Sequence, residues 1–186
     1  MTPNQIAGYT WQTEAPLALV HTGLYYTYVT AGNGVFLEAE NDFYEARLHL
    51  AACTVRGLDP LMPQLGLKPG RIPWVLLLTI LDHCVSHPDQ EWFFAITFTE
   101  AEGFRVSMPQ EGGHSSVTYQ KVPNTFIEIH SHGRMPAYFS SIDDRDEGGF
   151  CLYGVVGAVH LADPLMALRL GVYGYYLPLE LRQVFG

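Results

Sequence analysis

The alternation of apolar and polar positions gives the first part of the chain a β character. Residues 24–30 are rich in β-branched and aromatic side chains, and Ala-Gly-Asn-Gly separates them from 35–40. This pattern predicts a β-hairpin in which Asn33-Gly34 supplies the positive φ angles of the turn. Ala46, Leu48 and Leu50 alternate with Arg47 and His49, predicting a third strand, with a short helix as the alternative. Residues 57–72 contain Pro60, Pro63, Pro69, Gly57, Gly66 and Gly70, and are read as a connection between a β-rich N-terminal layer and the main body.

Beyond that connection the periodicity changes. Pro73 suits the first turn of a helix, where its missing N–H costs nothing. Trp74, Leu77, Leu78, Leu81, Cys84 and Val85 then recur at helical spacing, and the stripe ends before Pro88. Residues 91–98 read as a largely apolar strand in the middle of a sheet. Further strands are predicted at 103–108, 116–122 and 126–132. In the last of these, Glu128, His130 and His132 project to one face, while Ile127 and Ile129 take the core face. Gly133 breaks the strand, Ser140 begins a short helical turn, and 150–159 and 168–176 close the sheet, with glycines at bulges. The expected fold is α/β (α+β): a mixed central β-sheet with flanking helices at 72–186, preceded by an N-terminal β-rich extension at 1–71.

Composition narrows the function classes. The chain has 186 residues, 48% of them hydrophobic and only 16% charged, enough for a full core and too apolar for global disorder. Its formal charge of -9, with no basic run, argues against a nucleic-acid partner. The three cysteines (Cys53, Cys84, Cys151) form no CxxC pair, so buried thiols in a reducing compartment are expected. No segment resembles a signal peptide, and the apolar run 74–81 is far shorter than the roughly 20 residues a bilayer requires. A cytoplasmic protein with no membrane partner is expected.

The chemistry concentrates between Glu128 and Asp143. Two histidines one residue apart on a strand place their Cα atoms about 7 Å apart, and convergent rings can grip one ion. Asp143, offered by the next turn of chain, is the candidate third ligand. Two neutral imidazoles and one carboxylate leave a Zn²⁺ centre with about one net positive charge, which lowers the pKa of bound water toward about 7. A plainer reading exists, because His-x-His pairs are common without metal. Ser140-Ser-Ile-Asp143 by itself is a helix start with an N-cap serine and an acidic third residue. The two readings are compatible, since a helix start would hold Asp143 with Ser140 beside it.

The run His130-x-His132-x7-Ser140-x-x-Asp143 resembles the signature of the JAMM metalloproteases, the JAB1/MPN/Mov34 superfamily. The likeness extends over 72–176, and details from Gly148 onward are similar to the bacterial JAB proteins of PRTRC-type gene clusters. The resemblance implies a JAB/MPN-like fold with Zn²⁺ held by His130, His132 and Asp143. It implies Glu91 as the general base and Ser140 as donor to the oxyanion of the tetrahedral intermediate. Such roles contribute about 10²–10⁴ and about 10²–10³ in rate. It further implies a peptidase or isopeptidase acting at the C-terminal tail of a ubiquitin-like protein. Glu128 is a rival base, and Asp144 a rival ligand disfavoured by spacing. Gly133 stands where the family usually has proline, and Trp92-Phe-Phe94 replaces a small glycine after the glutamate.

Two other functions compete. A catalytically silent MPN-type scaffold that binds partners would ordinarily have lost ligands, whereas this chain keeps all five positions. A deaminase-like zinc enzyme requires HxE and PCxxC segments, which are absent. His83, His87 and His114 read as surface or helix-end histidines, Tyr25, Tyr26 and Tyr28 as sheet packing, and Cys151 as a small buried residue. An extended tail could add to a sheet edge, and the acidic charge favours a basic-faced partner. Three roles stay open for the first 70 residues: guarding the site, forming a homodimer, or holding substrate.

Overall fold

The computed structural model describes residues 6–13, 19, 22–107, 110–111 and 121–186. The fold is α+β, and the chain divides into two compact units, Met1–Gly70 and Arg71–Gly186.

In the first unit, β1 (Ala7–Trp11), β2 (Tyr26–Ala31), β3 (Gly34–Glu40), β4 (Tyr44–Ala52) and β5 (Gln64–Leu67) form one sheet in chain order. β1 runs parallel to β2, and the remaining pairs are antiparallel. The expected hairpin is therefore the middle of a five-stranded sheet, and the segment read as pure connection contributes an edge strand, with Tyr44 opposite Leu67. The helix alternative for 46–50 is replaced by a strand. The turn is also built differently from the expectation. Its central residues are Gly32 and Asn33, and Gly34 alone of the Asn33-Gly34 pair has a positive φ. Asn33 instead brackets Leu61, donating from Nδ2 to its carbonyl at 2.8 Å and accepting from its N–H at 2.9 Å. Leu61 packs with Val29, Ala31 and Phe36 in a buried cluster. Glu38 and Arg47, directly opposite across β3 and β4, form a buried ion pair, so neither charge is left uncompensated.

The second unit carries α1 (Trp74–Ser86), β6 (Trp92–Thr99), β7 (Gly103–Val106), β8 (Gln110–Glu111), β9 (Thr125–Ser131), α2 (Asp143–Asp146), β10 (Phe150–Gly157), β11 (Leu165–Val172), β12 (Tyr175–Leu179) and α3 (Leu181–Val184). The sheet order is β12-β11-β10-β9-β6-β7, with β8 also on β6. β9 and β10 are parallel, and every other pair in this sheet is antiparallel. A parallel pair requires the chain to cross back between its strands. Here the crossing is residues 132–149, which carry α2 over one face of the sheet.

The other face belongs to α1. Leu77, Ile80 and Cys84 of that helix are buried, and Cys84 hydrogen-bonds Ser131 at the end of β9. Phe94, paired with Ile129, meets the ring of His83 on the same side. The helix start is fixed from the C-terminus: Ile72 donates to Val184 O at 2.9 Å, and Trp74 stacks on Phe185. The predicted strand 168–176 proves to be two strands joined by a tight turn at Tyr173 and Gly174, with φ of 50° and 91°. Tyrosine rarely adopts positive φ, so no ordinary turn signal marks this hairpin. The expected strand at 116–122 falls largely outside the described residues, as does His114. No helix among the described residues is long and apolar enough to cross a membrane.

Candidate metal centre

β9 lies between β6 and β10, with His130 level with Phe93 on one side and Val155 on the other. Its burial alternates as the pleat requires. Ile127, Ile129 and Ser131 are buried toward α1, whereas Glu128 and His130 face the crossing segment. His132 follows the strand on the same side, its N–H donating to Val156 O at 2.7 Å.

His130 Nε2 and His132 Nε2 stand 3.2 Å apart, and His130 Nε2 is 3.5 Å from Asp143 Oδ1. All three donor atoms lie within 4.8 Å of one another. A tetrahedral zinc with bonds of 2.0–2.1 Å separates its donors by about 3.3–3.4 Å. The His130–His132 and His130–Asp143 distances match that spacing, and His132 and Asp143 offer donors within 4.8 Å of each other. The second ring nitrogen of His132, Nδ1, lies 3.3 Å from Pro136 O. Donation to that carbonyl leaves Nε2 as the free lone pair, the usual arrangement around a ligating histidine. Burial holds the His130 imidazolium down to about 4, against the opposing pull of Asp143 and with further lowering by His132 and Arg169. His130 is thus neutral and ligand-competent at pH 7.

Asp143 is set by its own short turn. Its Oδ2 accepts from the Ser140 N–H at 2.5 Å, and Ser140 Oγ accepts from the N–H groups of Asp143 and Ile142 at 3.3 and 3.2 Å. This is the reciprocal pairing of a capping box, although the helix proper begins only at Asp143. The pairing leaves Oδ1 facing His130 and the Ser140 hydroxyl hydrogen able to donate.

The two candidate bases fall on opposite sides of the triad. Continuing the β6–β9 register by two residues brings Glu91 level with His132, and both border a surface recess with Pro88, Asp89 and Gly133. Glu128 borders a smaller recess of about 80 Å³ with Phe93, His130, Asp143, Glu147 and Tyr153. Asp144 is placed away from the donor cluster, with Oδ1 2.6 Å from Arg169 Nη1. His83 and His87 stack on each other at the end of α1, on the opposite face of the sheet. Tyr26 and Tyr28 contact edge to face, and Tyr9 joins them. Cys151 is half-buried, and Cys53 is exposed rather than buried as expected.

Gly133 accounts for one departure from the JAMM pattern. Its φ is +55°, and a Cβ there would meet Pro88 O at 2.5 Å. Proline, fixed near a φ of about −65°, cannot form this turn.

Sequence reasoning missed Arg169 and the carboxylate beneath it. Arg169 is opposite Tyr153, which is opposite Glu128, so all three share the site face of the sheet. Glu147, buried, has Oε2 2.7 Å from Arg169 Nε and 2.6 Å from Nη2. Burial pushes its carboxyl up to about 7 in spite of that partner, and burial likewise raises the Tyr153 phenol. The available signal was an arginine inside the apolar run Ala167-Leu-Arg-Leu-Gly-Val172, because a charge there requires a partner.

No known family's sequence model matches the chain, and no curated protein matches it. One solved structure it is similar to is the solution structure of a protein from Salinibacter ruber (strain DSM 13855). The match covers 59% of this chain and 88% of that one, at 13% identity and a TM-score of 0.36. A likeness of that size carries no argument about function.

Proposed function

We propose that this chain is a zinc-dependent peptidase or isopeptidase of JAMM type, cutting at the C-terminal tail of a ubiquitin-like protein. The observation that supports it is the meeting of His130, His132 and Asp143, with His130 Nε2 3.2 Å from His132 Nε2 and 3.5 Å from Asp143 Oδ1, and ligand atoms of all three within 4.8 Å of one another. A Zn²⁺ ion held there supplies a Lewis acid and an ionised water at neutral pH. The chain's own groups do the remainder. His130 offers a neutral lone pair because burial keeps it deprotonated. Asp143 brings the one negative charge, directed by the Ser140 N–H. Glu91 takes the proton of the attacking water and passes it to the leaving amine, and the Ser140 hydroxyl donates to the developing oxyanion; both roles come from the JAMM resemblance. The three free cysteines suit a reducing compartment, and the cytoplasm is the proposed location.

The decisive experiment pairs elemental analysis with cleavage of ubiquitin-like proteins carrying a C-terminal amide or isopeptide extension. One zinc per chain and cleavage abolished by His132→Ala are expected. Stoichiometric zinc with no cleavage of any peptide or isopeptide would leave the MPN-type scaffold. Absence of bound metal after zinc reconstitution refutes both.

A further inference from the structure

A carboxylate ligand must be held still, and the reciprocal pairing with Ser140 fixes Asp143 within its own turn but does not fix that turn on the sheet. The turn opens a helix of only four residues. One turn of helix lies below the length at which helices become self-supporting. Ser141, Ile142, Asp144, Arg145 and Asp146 are all exposed, and Gly148 and Gly149 follow. Burial of the turn itself therefore contributes little.

One side chain touches this segment at three points. The Arg169 guanidinium lies 3.9 Å from the ring centre of Phe139 and 3.8 Å from that of Tyr176. It is thus sandwiched between an aromatic immediately before Ser140 and one on β12. Its Nη1 reaches Asp144 Oδ1 at 2.6 Å, and its Nε and Nη2 reach Glu147 Oε2 at 2.7 and 2.6 Å. Tyr176 adds its hydroxyl, donating to Asp144 O at 2.8 Å. Residues 139, 144 and 147 bracket Asp143 on both sides, while Arg169 itself is buried in the middle of β11 with its side chain 7% exposed. A planar fork stacked on two rings has very little freedom, which a lysine would not reproduce.

We infer that Arg169 is the positioning residue of the centre: it ties the segment 139–147 to the sheet and so aims Asp143 at the two imidazoles. This rests on the reading of His130, His132 and Asp143 as metal ligands. Charge and position predict opposite signs, which makes the role testable. Were Arg169 merely a nearby positive charge, its removal would tighten cation binding. As a positioning group its removal loosens binding, by the roughly 10–100-fold usual for partners behind the ligands.

The test uses the full chain, stripped of metal and titrated with Zn²⁺ against a chromophoric chelator, and with Co²⁺ for its visible spectrum. Arg169→Met should bind zinc about 10–100-fold more weakly and lose the intense tetrahedral cobalt bands. Arg169→Lys should be weakened too, although it keeps the charge. Phe139→Leu, which removes one ring stacked on the guanidinium without changing any charge, should lose several-fold and carries the test if Arg169→Met fails to fold. Unchanged or tighter binding in Arg169→Met, full rescue by lysine, or an unaltered Phe139→Leu each overturns the positioning role. Wild-type protein that takes up neither metal overturns the ligand reading as well.

Discussion

Replacing Gly133 should unseat His132, and the size of the effect follows from the turn. At φ +55° an L-residue pays about 1–2 kcal/mol for its Cβ against the following carbonyl. In addition, the new Cβ would stand 2.5 Å from Pro88 O, a backbone atom that cannot swing aside. Overpacking of that kind costs about 1–3 kcal/mol. Gly133→Ala should therefore lose about 2–5 kcal/mol, within the 5–15 kcal/mol typical of a folded domain, and remain foldable. Gly133→Pro is harsher, because φ must move by about 120°. That rotation breaks the bonds from Met135 N to His132 O and from Val159 N to Gly133 O, at 3.0 and 3.1 Å. Urea denaturation of the metal-free protein reads the stability, and chelator competition reads zinc affinity. Both should fall, more for proline than for alanine. A proline variant with wild-type stability and affinity would refute the turn geometry, and with it the account of why this chain departs from the usual JAMM residue.

Three other outcomes follow from the site. Glu91→Gln should keep zinc and lose about 10²–10⁴ in cleavage rate, while Glu128→Gln stays active; the reverse result moves the general base to Glu128. Zinc at a hundred times its dissociation constant should stabilise the protein by about 2.7 kcal/mol in urea melts, reversed by chelator; a melt that ignores zinc is incompatible with a folded-state site. The third outcome concerns pH. His130 is held at about 4 when folded against about 6.5 when unfolded, so the unfolded state binds the extra proton between those values. Stability present above pH 6.5 is accordingly lost as pH falls through 4, by up to ~3 kcal/mol in the metal-free protein. His130→Asn should lack that component, and parallel pH profiles for the two proteins would count against a neutral His130.

Periodicity located the helix at 74–86 but not its buried face: Trp74, Leu78 and Val85 of the expected stripe are exposed and Leu81 is half-buried, whereas Ile80, outside that stripe, is fully buried. It was sufficient where alternation itself separates the two faces, as in Glu128, Ile129 and His130. Elements without it were hidden. β5, Gln64–Leu67, is an edge strand with no fully buried position, and Gly66 within it and Pro63 and Pro69 on either side make it look like loop. The Tyr173-Gly174 turn depends on a tyrosine at positive φ, which no propensity favours. In the site, local spacing was enough to nominate three residues from one short segment. Arg169 was invisible to that logic because its partners, Phe139, Asp144 and Glu147, lie 22–30 residues away and reach it only through sheet pairing.

The three donors differ in how firmly the fold holds them, and that difference orders the consequences of mutation. His130 sits mid-sheet with a strand on each side, so its backbone is fixed by two ladders. His132 lies one residue past the strand and is held by single bonds to Val156 O and Pro136 O. Asp143 arrives on the crossing between parallel strands, which topology obliges to exist but does not itself aim. A pleated strand can present two donors side by side, yet a third on the same strand would be too far along to close around one ion. In the proposed centre the crossing supplies it, from a single helical turn. That is why a buried arginine two strands away from His130, rather than a neighbour of Asp143 in sequence, bears on the geometry of the whole centre.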